Sequence, residues 1–212
     1  MKPRIKGLYA ITPDMADTRQ LLVQVERVLR GGAALLQYRN KRASPALRFE
    51  QAAALLTLCR EHAVPLIIND HVRLVLEIGA DGVHLGGEDG EVAAARSLLG
   101  EAAIIGASCY NRLDLAHKAK VQGADYVAFG ACFLSSTKPA ALRAPLELFA
   151  SARREVGLPM VAIGGITPEN LQQVMVAGAD SIAMISAIFD ERPEVADTVA
   201  AIVKRIESHA VN

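Results

Sequence analysis

The hydrophobic residues of this chain fall into short, nearly continuous aliphatic runs, each followed by a longer segment whose apolar positions recur at helical spacing. Residues 65–69 (PLIIN) form a short apolar run rich in β-branched residues, which predicts a strand covered on both faces, and Asp70 stands where that strand ends. Residues 72–78 carry apolar positions at helical spacing, Gly79 is a helix stop, and residues 82–85 begin a second strand that leads to Asp89. Parallel strands joined by a helix put both strand ends on one side of the sheet, so Asp70 and Asp89 are expected to face the same pocket.

The alternation extends over the whole chain. Further strands are predicted at 7–12, 34–39, 104–108, 126–130, 159–165 and 181–186. The intervening helices are predicted at 17–30, 91–99, 114–122, 145–156 and 194–209. Two more begin at a capping residue followed by proline, Ser44-Pro45 and Thr167-Pro168, and the first of these should bury Phe49, Ala52, Ala53 and Leu56. Residues 134–144 read as a loop. A weak internal repeat supports this count: segments beginning at Gly31, Gly79, Gly123 and Gly178 each run helix stop, small residue, polar residue, buried strand, ahead of strands two, four, six and eight. Eight strand-helix units with no GxGxxG after strand one predict a single-domain (β/α)8 TIM barrel over residues 1–212, with its site at the C-terminal strand ends.

Composition narrows the partners. A 212-residue chain that is 51% hydrophobic but only 4% aromatic describes one domain with an aliphatic core. Lys+Arg and Asp+Glu are both 23, so the balance of charge makes no case for nucleic acid or an anionic membrane, and any phosphate binding must be local. The three cysteines show no CxxC spacing, which argues against a disulfide framework and a structural zinc site. No basic, apolar leader and no apolar run of membrane-spanning length is visible, so a cytoplasmic protein acting on small molecules is expected. No outer-helix face reads as an interface, which leaves homo-oligomer formation open.

Polar residues collect where the predicted strands end. Strand two gives Gln37, Arg39 and Lys41; strand three Asn69 and Asp70; strand four His84 and then Asp89; strand five Ser108. Strand six leads to Ser135, Thr137 and Lys138, strand seven ends in Gly164-Gly165, and strand eight in Ser186. The spacing Gln-x-Arg-x-Lys aims three donors the same way while the chain stays extended, and Arg and Lys suit a phosphate. Paired carboxylates at Asp70 and Asp89 suit a hard divalent cation shared with a phosphorylated ligand. Glycines 164 and 165 ahead of Thr167-Pro168 form a second anion site, built from backbone N–H groups. Each feature also has a structural reading: Asp89 as a solvated acid or cap, Arg39 and Lys41 as surface charges, the glycine pair as a tight turn, His84 as a packed histidine. His62, His71, His117 and His209 fall on or beside helices with no partner visible.

With those residues assembled, the chain resembles the thiamine-phosphate synthase family along nearly its full length. The resemblance is carried by GLYAIT, QYRNK, LIINDHVRLVLEIGADGVHLG with Asp89, IIGAS, GADYVAFG, STKP, MVAIGGIT and GADSIAMIS. It implies joining of a hydroxymethylpyrimidine diphosphate to a thiazole phosphate, with release of pyrophosphate and with Mg²⁺ as cofactor. Asp70 and Asp89 would hold the metal. Arg39, Lys41, Asn69 and Lys138 would contact the diphosphate, Gln37 and Ser108 the pyrimidine, and Ser135, Thr137, Gly165, Ile185 and Ser186 the thiazole phosphate. Arg39, Lys41, Lys138 and Ser108 would be the catalytic set. The chain departs from the family pattern at Gly87, where Gln is common, at Cys109-Tyr110, where Thr-His is common, and at Leu134-Ser135 in the Pro-Thr-x-Thr-Lys loop. A thiazole tautomerase, a non-catalytic phosphate-metabolite sensor and a sugar-phosphate epimerase are the competing readings.

Overall fold

The structure is a computed structural model and describes residues 4–86, 91–134, 143–189 and 194–209. Strands β1 Gly7–Ile11, β2 Leu35–Tyr38, β3 Leu66–Asn69, β4 Gly82–Leu85, β5 Ile104–Tyr110, β6 Tyr126–Phe129, β7 Met160–Ile163 and β8 Ser181–Met184 pair in sequence order into a closed parallel barrel. Helices α1 Thr18–Arg30, α2 Pro45–Glu61, α3 Val72–Ile78, α4 Val92–Leu99, α5 Leu113–Val121, α6 Glu147–Glu155, α7 Leu171–Val176 and α8 Val195–His209 alternate with them. The fold is the expected (β/α)8 barrel.

Strand pleat divides the aliphatic runs between two cores. Outward positions such as Leu8, Leu36, Ile68, Val83, Ile105, Val127 and Ile182 pack under the helices. Inward positions such as Tyr9, Ile11, Leu35, Ile67, Ile104, Tyr126, Val161 and Ala183 fill the barrel. Gly106 leaves room in the interior for a neighbouring ring: a Cβ there would lie 2.0 Å from the Tyr126 ring.

The internal repeat has a structural cause at the other end of the barrel. Asp81, Asp125 and Asp180 each accept, through Oδ2 at 2.8 Å, an amide at the start of the preceding strand, from Leu66, Ile105 and Met160 respectively. Arg96 and Arg153 then pair with Asp125 and Asp180 at 2.6 and 2.7 Å while also donating to the helix-stop carbonyls of Gly123 and Gly178. Arg60 donates to the corresponding Gly79 carbonyl. Every GAD segment is thus a clamp between two neighbouring strands.

Several predicted boundaries move. The expected buried face of α2 is rotated: Phe49 is 48% exposed and Ala53 half-buried, whereas Gln51, Ala52, Leu55, Leu56 and Cys59 are buried. Tyr38 explains the rotation, since its hydroxyl donates to Gln51 Oε1 at 2.8 Å and draws that polar side chain inward. Strand β5 continues past Ser108 to Tyr110, with a register shift between the two and a left-handed Tyr110 at φ 53°. Helix α7 starts at Leu171, because Asn170 Oδ1 accepts the Thr167 amide and its Nδ2 donates to the Gly165 carbonyl, holding 167–170 as a turn. Cys59, Cys109 and Cys132 are buried free thiols, and burial pushes all three up, Cys59 and Cys109 to about 12 and Cys132 to about 11.

Candidate active site

At the C-terminal end of the barrel the inward side of the pleat turns polar. Gln37 is two residues beyond Leu35, Asn69 two beyond Ile67, and Ser108 four beyond Ile104, so the alternation that fills the barrel carries these three toward its mouth. Ile185 follows Ala183 in the same way and packs against the barrel core. Gly165 and Ser186 stand just past the ends of the adjacent strands β7 and β8.

Lys41, Asn69, Asp70 and His71 line one cleft with Tyr38, Asn40 and Arg48, leaving a cavity of about 20 Å³. Three of the predicted ligand-binding residues, from the ends of the consecutive strands β2 and β3, therefore meet. The expected extended arm through Lys41 is corrected: β2 ends at Tyr38, and 41–42 form a turn. That turn is held by residues the sequence did not single out. Asp14 Oδ1 accepts the Lys41 amide at 3.0 Å and pairs with Arg39 Nη1 at 3.2 Å. Asn40 is buried, donating to the Met15 carbonyl and to Gln51 Oε1. Thr12 Oγ1 accepts the Arg39 amide and donates to the Arg39 carbonyl, both at 2.9 Å. The signal was present as an acid and a threonine just after strand one, but only the pairing of β1 with β2 brings them to the Lys41 turn.

Asp70 has a left-handed backbone at φ 64°, a conformation that costs a non-glycine residue about 1 kcal/mol and that Asp tolerates better than most. Its amide donates to the His84 carbonyl at 2.9 Å, and its Oδ2 accepts from Asn69 Nδ2 at 2.5 Å. The strain turns the carboxylate out of the strand direction and toward the cleft. Among the described residues no three of His, Cys, Asp and Glu gather around one point. The Asp70 carboxylate is a hard oxygen donor and fits a cation that keeps water and phosphate oxygens in its shell, such as Mg²⁺.

Gly164 and Gly165 have φ of 97° and 64°, and a Cβ on Gly165 would lie 2.4 Å from the Leu134 carbonyl oxygen. Glycine is required there by the backbone alone. Asp89, Ser135, Thr137, Lys138 and the departure at Gly87 lie outside the described residues. His62 and His117, without visible partners in the sequence, meet Glu26 at 3.2 Å and Glu155 at 3.5 Å on the outer helices.

Inside the barrel a chain of polar side chains joins Gln37 to Ser108. Gln37 Nε2 donates to Tyr9 Oη at 3.0 Å, Tyr9 Oη meets Tyr126 Oη at 2.8 Å, Tyr126 Oη meets His84 Nδ1 at 3.0 Å, and His84 Nε2 meets Ser108 Oγ at 2.9 Å. Burial pushes the His84 imidazole down to about 4, so it is neutral at pH 7, and burial pushes both tyrosines up. His84 is thus a hydrogen-bonded interior histidine.

Comparison with known proteins adds identity to this geometry. The family model described as thiamine monophosphate synthase matches residues 8–188. The thiamine-phosphate synthase of Methylobacillus flagellatus is 60% identical over 187 residues, covering 88% of this chain and 89% of that protein. That of Aromatoleum aromaticum is 56% identical over 187 residues, covering 88% and 90%. A solved structure titled thiamine phosphate pyrophosphorylase from Pyrococcus furiosus superposes with a TM-score of 0.84 at 34% identity, covering 96% of each chain. A barrel whose matched span reaches from β1 through β8, and whose thiamine-phosphate synthase relatives are identical at more than half of the aligned positions, belongs to the thiamine monophosphate synthase family and is a transferase.

Proposed function

We propose that the chain joins 4-amino-2-methyl-5-(diphosphooxymethyl)pyrimidine to 4-methyl-5-(2-phosphoethyl)thiazole, or its carboxylate, giving thiamine phosphate and pyrophosphate. The observation that carries this reading is the single cleft shared by Lys41, Asn69 and Asp70, with Arg39 oriented beside it by Asp14. A cation, an amide and a carboxylate converging at the mouth of an otherwise aliphatic barrel suit a diphosphate and its counter-ion better than any packing role.

In this reading the C–O bond between the pyrimidine methylene and the diphosphate breaks first, and the bonding pair leaves with pyrophosphate. The thiazole nitrogen then donates its lone pair to the methylene cation. That nitrogen carries no proton, so no general base is needed. Arg39, Lys41 and Lys138 take up the charge developing on the diphosphate, and Asn69 fixes one of its oxygens. Asp70 and Asp89 would hold Mg²⁺, which when bound supplies further neutralisation of the departing diphosphate. Gln37 and Ser108 orient the pyrimidine, while Ser135, Thr137, Gly165, Ile185 and Ser186 receive the thiazole phosphate and align the two substrates.

The test is product formation from the two purified substrates, with Mg²⁺ and with a chelator in its place. Thiamine phosphate appearing only with the metal supports the reading. No product in either condition, with the protein folded, overturns it.

A further inference from the structure

We infer that the buried chain Gln37, Tyr9, Tyr126, His84, Ser108 fixes the donor and acceptor polarity of the pyrimidine subsite, and that Tyr9, Tyr126 and His84 are positioning residues selecting a 4-amino over a 4-oxo pyrimidine. This rests on the proposed function, which places Gln37 and Ser108 against the pyrimidine. The tyrosines lie one layer deeper. Tyr9 is in register with Leu35, two residues before Gln37, and Tyr126 is in register with Gly106, two residues before Ser108.

The direction of the chain follows from counting protons. The Gln37 amide nitrogen only donates, so Tyr9 Oη accepts from it, and the Tyr9 proton goes to the other contact of that hydroxyl, Tyr126 Oη. Tyr126 then gives its own proton to His84 Nδ1. A neutral imidazole whose Nδ1 accepts carries its proton on Nε2 and donates it to Ser108 Oγ. Two groups are left over, one at each end. Gln37 Oε1 is an acceptor with no partner among the described residues, and the Ser108 hydroxyl proton is a donor. A 4-aminopyrimidine offers an N–H donor next to a ring-nitrogen acceptor and complements both ends. Its 4-oxo analogue offers a carbonyl next to a ring N–H and opposes both. Reversing the polarity requires all five groups to turn together, because each hydroxyl and ring nitrogen is shared with its neighbour.

Packing does not account for the chain. The barrel interior is otherwise Ile, Leu, Val and Ala, and apolar side chains of similar volume would fill it without any polar atom to satisfy. Gly106 is emptied of a side chain to admit the Tyr126 ring, whose hydroxyl is the middle of the chain.

The experiment compares kcat/KM for the 4-amino diphosphate and its 4-oxo analogue in the wild type, in Tyr126→Phe and, as an independent cut, in His84→Leu, with circular dichroism to confirm folding. The intrinsic reactivity of the two substrates is common to all three proteins and cancels. With the chain cut, Ser108 is free to donate or accept, and the amino-to-oxo ratio is expected to fall about tenfold or more. Should one variant fail to fold, the other carries the comparison. A folded variant that loses rate equally on both substrates, leaving the ratio unchanged, overturns the inference and makes the chain a purely structural network. A folded wild type that makes no thiamine phosphate from the amino substrate overturns the proposed function, and the inference with it.

Discussion

At the scale of single residues, strain and burial mark the site more sharply than charge does. Asp70 sits in left-handed backbone with its carboxylate against Asn69, an arrangement with no packing benefit. Asp70→Asn is the informative change, because Asn tolerates the same backbone and removes only the charge. Turnover is expected to fall about 10²-fold or more with the melting temperature almost unchanged, and steady-state kinetics beside calorimetry check both. Near-normal turnover removes Asp70 from the reaction. His84 gives a prediction of a different kind. Its folded value is lowered from 6.5 to about 4 by burial, so the unfolded chain takes up a proton that the folded chain refuses. Stability is therefore full above about pH 6.5 and is lost as pH falls toward 4, with about 2 kcal/mol gone at pH 5 relative to pH 7. Urea titrations in metal-free buffer should show that pH-dependent loss in the wild type and a smaller one in His84→Leu; equal losses show that His84 titrates freely.

At the scale of elements, the same repeat that made the barrel legible in the sequence also holds it closed. The aliphatic runs, helix stops and GAD segments are local signals, and they give eight alternating units because each unit must cover its strand on both faces. The aspartate in GADYVAFG reads in the sequence only as a polar residue before a strand, but Asp125 joins Arg96 to the Ile105 amide and so ties α4, β5 and β6 together. Asp125→Ala leaves a half-buried guanidinium and a strand amide without that partner, and should cost about 2–3 kcal/mol. Activity per folded molecule should not change, since this clamp lies at the end of the barrel opposite the strand ends that carry Gln37 and Ser108. A loss of activity without a loss of stability contradicts this placement. What the sequence could not give was anything decided between elements. Asp14 reaches Lys41 only because β1 pairs with β2, Phe49 turns outward only because Tyr38 recruits Gln51, and the link from Gln37 to Ser108 passes through tyrosines that periodicity reads as core. Polar residues at strand ends were visible because they break an apolar run; polar atoms on large, apolar-looking side chains inside the barrel were not.

At the scale of the whole molecule, balanced charge constrains how the barrel can hold the two phosphorylated substrates proposed for it. With 23 basic and 23 acidic residues there is no global field to attract an anion, so in the proposed reaction affinity would come from Arg39, Lys41 and their neighbours together with the cation proposed for Asp70. Pyrophosphate, the proposed product, should then bind as its magnesium complex. Binding to the folded state alone stabilises it by about 2.7 kcal/mol at a hundredfold excess over Kd, which for a barrel of this size raises the melting temperature by about 5–10 °C. The shift is expected with Mg²⁺ and pyrophosphate together. Pyrophosphate with a chelator should give little of it, because repulsion from Asp70 then opposes the cations, and Asp70→Asn should weaken the metal dependence by removing both the metal's ligand and the repulsion. Scanning calorimetry of the two proteins, each with and without pyrophosphate in Mg²⁺ and in chelator, separates these terms. A full shift in the wild type without Mg²⁺ would mean that the arginine and lysine arm is sufficient, and that Asp70 serves the cleft only through its bond with Asn69.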